Sequence, residues 1–140
     1  MVRVLAAILF GAALFAGSGG ASGGLQPPVI HESFTKLPCP MHPQTTIGLE
    51  GCGEQAILTG DARINAEAKA IFGLLATHSS RVSFVRGEAS WLAYRKASCT
   101  AEASRYTGGT LEPVAYATCV VARNKAHLAD LETMRNSLKG

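Results

Sequence analysis

Four cysteines, Cys39, Cys52, Cys99 and Cys119, carry the most distinctive chemistry in the chain. An even count in a small chain admits a disulfide framework with three possible connectivities, or thiolate ligation of a metal. Cys39, Met41 and His42 stand together in the string Cys39-Pro40-Met41-His42-Pro43, and Cys52 follows. Thiolate, thioether and imidazole are soft donors of the kind copper takes. No pair has the C-x-x-C spacing of a thioredoxin-type site. His31, His78 and His127 are scattered without an i, i+4 pair and read as surface or capping residues. The motifs G-x-S-x-G, H-E-x-x-H, the P-loop and G-x-G-x-x-G do not occur as catalytic signals. Asp61 with Glu67, and Glu50 with Glu54, are carboxylate pairs of the ordinary solvated-helix kind. No catalytic residue is assigned, no cofactor is expected, and the chain reads as a binding protein rather than an enzyme.

These residues need a scaffold, and 140 residues give room for one domain. That length excludes a catalytic barrel. Apolar residues make up 47% and charged residues 16%, which excludes extensive disorder. A net charge of +3 without clustered Lys and Arg excludes a nucleic-acid footprint. Arg3, the apolar run Val4–Ala16 and the small residues Gly17–Ala21 have the three-part layout of a secretory signal peptide. The run is too short to span a bilayer comfortably, so no stable membrane anchor is expected after cleavage near Ala21. Residues 1–21 are therefore read as signal peptide and 22–47 as an irregular Pro-rich lead-in. Residues 48–140 are read as the helical domain, in a periplasmic or secreted protein.

The helical pattern is clear beyond the prolines. Leu49, Ala56, Ile57, Ile64, Ala68, Ile71, Leu74 and Leu75 share one face of a first helix over about 48–77. Gly51, Gly53 and Gly60 weaken its first half by about 1 kcal/mol each relative to Ala. A second helix fits from Ser79 or Ser80, either of which can cap it, to Ser104. Its stripe is Val82, Val85, Ala89, Leu92, Cys99 and Ala103, widened by Phe84, Trp91 and Tyr94. Tyr106-Thr107-Gly108-Gly109-Thr110 is a turn by composition. A third helix begins at Glu112 or Pro113 and ends near Leu138. Val114, Ala117, Val121, Leu128, Leu131 and Leu138 line its inner face. The expected fold is all-α, a small antiparallel three-helix bundle with an extended lead-in.

That arrangement bears on the three connectivities. Cys99 and Cys119 lie equally far from Gly109, and such positions face each other across a helical hairpin. A Cys99–Cys119 bridge is the favoured one, which leaves Cys39 for Cys52. Loops of about 14 to 21 residues are worth roughly 3 kcal/mol each in the chain-entropy model.

The segment Trp91-Leu92-Ala93-Tyr94-Arg95-Lys96-Ala97-Ser98-Cys99 is followed by Gly108-Gly109-Thr110, Pro113, Tyr116 and Cys119. This resembles the lysozyme inhibitor LprI-like N-terminal domain family, whose pattern is W-x-x-Y-R-x-x-x-C, a Gly-Gly-Ser/Thr turn, then P-x-x-Y-x-x-C. Cys52-Gly53-Glu54-Gln55 and Asp61-Ala62-Arg63-Ile64-Asn65 look like the family's first helix. The resemblance implies an exported, helical, disulfide-linked protein that inhibits a lysozyme-type muramidase. The CPMHP string also resembles the opening of small heavy-metal-binding domains. Those continue C-P-x-C-G-M, of which only Cys52-Gly53 is present.

Trp91, Tyr94, Arg95, Asp61 and Tyr116 are expected to be structural, with Arg95 pairing Asp61 or Glu102 to fix helix register. Partner contact is expected at the turn, through Tyr106, Gly108, Gly109, Thr110 and Glu112. A rigidly held loop with an aromatic tip has little entropy left to lose on binding. The expected partner is a protein of the lysozyme type, blocked sterically. Animal-type lysozymes are cationic, whereas the chain without Arg3 is close to neutral. Local acidic residues such as Glu102, Glu112, Asp130 and Glu132 would have to supply the steering. The competing classes are a periplasmic metal-binding protein using Cys39, Met41, His42 and Cys52, and a structural envelope protein.

Overall fold

The computed structural model describes residues 24–34 and 36–140. The leader expected at 1–21 lies outside them. Three helices follow an extended segment: α1 over Thr46–Leu74, α2 over His78–Ala103 and α3 over Glu112–Ser137. No strand occurs among the described residues. None of their helices is long and apolar enough to cross a membrane.

Each start has a local cause. Thr45 caps α1, its hydroxyl accepting from Gly48 N at 3.1 Å. Thr77, rather than Ser79 or Ser80, caps α2. Its hydroxyl accepts from Ser80 N at 3.1 Å while the Ser80 hydroxyl accepts from Thr77 N at 3.3 Å. That reciprocal pair is a capping box with Ser in the third helical position. Pro113 sits in the first turn of α3, where its missing N–H leaves no bond unmade.

The bundle runs up, down and up. Cys99 meets Cys119, Arg95 meets Asn124 and Trp91 meets His127, so α2 descends as α3 rises. Gly53 lies against Ala117, Asp61 against Asn124 and Glu67 against Arg135, so α1 and α3 run parallel. The glycines that weaken α1 as an isolated helix let α3 approach. A Cβ on Gly53 would stand 2.6 Å from that of Ala117, and one on Gly60 3.0 Å from Asn124 Nδ2.

Two apolar clusters form the core. Ile64, Ala68, Ile71, Leu75, Phe84, Leu128 and Leu131 fill the end where α1 turns into α2. Ile57, Cys99, Ala117, Cys119 and Val120 fill the end where α2 turns into α3. Leu49, Leu74 and Leu138 of the predicted stripes are exposed; Leu74 lies to the side of the seam that Ile64, Ala68, Ile71 and Leu75 form.

The lead-in is extended, as its prolines dictate, and lies against the bundle. Asn65 on α1 acts as a dock: Ile30 N donates to Oδ1 at 2.7 Å and Nδ2 donates to Ile30 O at 3.0 Å. Leu37 N donates to Glu54 Oε2 at 3.3 Å. Gly51 allows the Pro38 carbonyl to lie where a Cβ would come within 2.4 Å. The Cys39–Cys52 disulfide then ties the strap to α1.

Candidate functional site

Between the two apolar clusters lies a polar layer built from all four segments. Arg95 is 2% exposed. Its Nη1 donates to Asp61 Oδ1 at 2.6 Å and to Asn124 Oδ1 at 2.7 Å. Asn124 Nδ2 donates to the same Asp61 oxygen at 2.8 Å. Arg95 Nη2 reaches out to Glu32 Oε1 in the strap at 2.5 Å. The Arg95 guanidinium lies 5.3 Å from the centroid of the Trp91 ring. Of the two partners expected for Arg95, Asp61 takes the role and Glu102 is exposed. A forked guanidinium with two carboxylates and an amide satisfies geometry in one helix register only, which makes the layer a register pin.

Tyr116 flanks this layer. Burial raises its pKa above the usual 10.0; the Glu32 and Asp61 carboxylates push the same way and the Arg95 charge pushes back. Trp91 packs against the apolar cluster and stacks on His127 at 3.7 Å between centroids. His127 Nε2 lies 2.9 Å from Glu88 Oε2. The structure departs from the sequence expectation at His127 and Tyr94. His127 is not a surface residue, because the indole covers it. Tyr94 is not core: it is 52% exposed, with the Arg123 guanidinium 5.5 Å from its ring centroid. Successive helical residues differ by about 100°, so with Arg95 directed inward Tyr94 must turn outward.

The disulfides are Cys39–Cys52 and Cys99–Cys119, with no free cysteine. The metal-binding alternative requires both thiols of the first pair, and the bridge consumes them. Met41 and His42 are exposed, and no cluster of three or more His, Cys, Asp or Glu fit for a metal occurs among the described residues.

The turn between α2 and α3 projects at the disulfide-linked end. A 3-10 turn at Ser104–Tyr106 leads into Gly108, whose φ of 76° is in the left-handed region that glycine tolerates. The loop is braced from within. Gly109 N donates to Tyr106 O at 2.8 Å, Glu112 N to Gly109 O at 3.1 Å, and Gly108 N to Glu112 Oε2 at 2.9 Å. Tyr106 is 41% exposed, and Gly108, Gly109 and Thr110 are exposed beside it. Thus Tyr106, Gly108, Gly109, Thr110 and Glu112 lie together in one short loop. Trp91, Arg95, Asp61 and Tyr116 lie in or beside the polar layer.

Residues 39–131, well over half the chain, match the family described as lysozyme inhibitor LprI. The chain belongs to the LprI family. No curated protein and no solved structure matches it. The match takes in both disulfides, the Arg95–Asp61–Asn124 layer and the braced turn, and begins after the strap residues Ile30, Glu32 and Phe34. LprI is an inhibitor family, and two disulfides fit an oxidising compartment.

Glu32 and Asn124 are members of the layer that the sequence pattern did not single out. Asn124 had a signal: it occupies the gap between Val121 and Leu128 in the apolar repeat of α3. Glu32 had none, since it lies in an irregular segment without a period.

Proposed function

We propose that this LprI-family protein is exported and binds a lysozyme-type muramidase, obstructing its substrate cleft through the α2–α3 turn. The family match over residues 39–131 carries this reading. The form of the turn supports it. An exposed Tyr106 stands at the tip, glycines leave the backbone uncovered, and Leu111 adds a second exposed apolar side chain. The Cys99–Cys119 bridge holds the two helices behind the loop. Such a pre-ordered projection loses little conformational entropy when it enters a concave site. No chemistry on the partner is needed; exclusion of substrate suffices.

The test is a cell-wall lysis assay in which the oxidised chain is titrated against an animal-type lysozyme. Saturable, dose-dependent inhibition is expected, and Tyr106→Ala should weaken it by about tenfold or more, the scale of an aromatic anchor at an interface. Full lytic activity at a large molar excess of the chain would refute the reading for that enzyme.

A further inference from the structure

The ten acidic residues of the chain are unevenly engaged. Glu32, Asp61, Glu67, Glu88 and Glu132 each face an Arg or His within ion-pair distance. Among the described residues, Glu50, Glu54, Glu102, Glu112 and Asp130 have no such partner. Three of those five, Glu50, Glu54 and Glu112, line a single cavity of about 400 Å³ at the disulfide-linked end. Its apolar walls include Phe34 from the strap, Ile57 from α1 and Tyr116 from α3. No basic residue lines it; Lys36 and Arg105 belong to flanking segments and reach none of its carboxylates.

Glu54 is the decisive group. It is only 9% exposed, lies among apolar walls, and has one hydrogen bond among the described residues, from Leu37 N at 3.3 Å. Its Oε2 accepts from Leu37 N, and the carboxylate has no counter-charge among the described residues, so a cation that enters the cavity can pair with it. The cavity has the volume and the mixture of apolar wall and few polar groups typical of a ligand pocket. Aromatic walls with carboxylates at the rim suit a guanidinium, which stacks on rings and forks onto carboxylates.

We infer that this cavity is the seat for an arginine side chain of the protein partner. The inference rests on the inhibitor reading, because Glu112 belongs both to the turn and to the cavity rim. It also resolves the charge difficulty. The chain as a whole is not acidic, but the face that carries the turn gathers its unpaired carboxylates, so it attracts a cationic partner locally. Phe34 lies outside the family match, so one wall of the seat is supplied by the strap.

The test uses the oxidised full chain and a probe independent of lysozyme, N-acetylarginine amide, with its neutral near-isostere N-acetylcitrulline amide. Amide resonances of Glu54, Thr100 and Tyr116 are followed by NMR during titration. Saturating shifts confined to the cavity are expected with the arginine probe and not with citrulline. Glu54→Gln, which keeps the oxygen that Leu37 N needs, should weaken binding by about tenfold, the worth of a charge-assisted bond. Glu50→Gln, on a half-buried residue with no hydrogen bond among the described residues, should weaken it by a smaller factor. Equal shifts from both probes, or shifts scattered over the surface, would overturn the inference. Lysozyme inhibition by the same variants separates the two claims. If the chain inhibits but neither Glu variant weakens inhibition or arginine binding, the seat is wrong and the inhibitor reading stands. If arginine binds but lysozyme is untouched, the inhibitor reading fails and the seat stands.

Discussion

The two ends of the bundle hold together by different means. Where α1 turns into α2, Ile71, Leu75, Phe84, Leu128 and Leu131 form a layer of large side chains, without a covalent link. Where α2 turns into α3, the buried residues are smaller: Ala117, Val120, Ile57 and the half-cystines. Both disulfides stand at that end, and so does the acid-lined cavity. Large apolar side chains fill space; disulfides restrict the unfolded chain without filling it. An end stabilised by cross-links can therefore keep a concavity and a projecting loop that a close-packed end would have to close. The Arg95 layer separates the two regimes and fixes the register of each against the other.

Removing the divider should have the largest effect. Arg95→Ala leaves Asp61 and Glu32 without their cation and is expected to destabilise the fold by about 3–5 kcal/mol in denaturant unfolding. A loss near zero would mean that the two ends are held in register by packing alone.

Reduction of the disulfides should act on one end. Each bridge is worth about 3 kcal/mol in the chain-entropy model for loops of this size. Amide exchange after reduction should accelerate most around residues 100–120 and least around 64–84, where the apolar cluster remains. Uniform acceleration would show that the two ends unfold as one unit.

The smallest effect concerns Tyr116. Its pKa is raised in the folded protein, mainly by burial, so the neutral phenol is favoured in the fold. The associated stability is complete below the unfolded value of about 10 and is lost as pH rises through the higher folded value. Stability measured between about pH 8 and 11 should fall more for the wild type than for Tyr116→Phe. Parallel pH curves would place Tyr116 outside the influence of the layer.

The stapled end was the more legible from sequence. Cys99 and Cys119 flank Gly109 symmetrically, so the hairpin and its bridge follow from counting, and Pro113 marks the next helix start. The polar layer was half legible. The Arg95–Asp61 pair is legible from residue type, but Tyr94, placed by its apolar ring on the same inner stripe, is exposed, because Arg95 takes the inward direction. Asp61, Arg95 and Asn124 interrupt three apolar seams at one level, but that coincidence is visible only once the helices are aligned. Gly51, Gly53 and Gly60 pointed the wrong way. Local propensity counts them against a helix, whereas close packing with Pro38, Ala117 and Asn124 requires them. The docking of the strap was illegible, because a proline-rich segment without a period carries no sign of what it lies against.

The proposed function makes the disulfide-linked end the binding face. Hydrogen exchange of the oxidised chain, alone and saturated with an animal-type lysozyme, tests it most directly. New protection is expected over residues 104–116 and around Glu54, with none over 74–84. Protection centred on 74–84, or none anywhere at saturating enzyme, would contradict it.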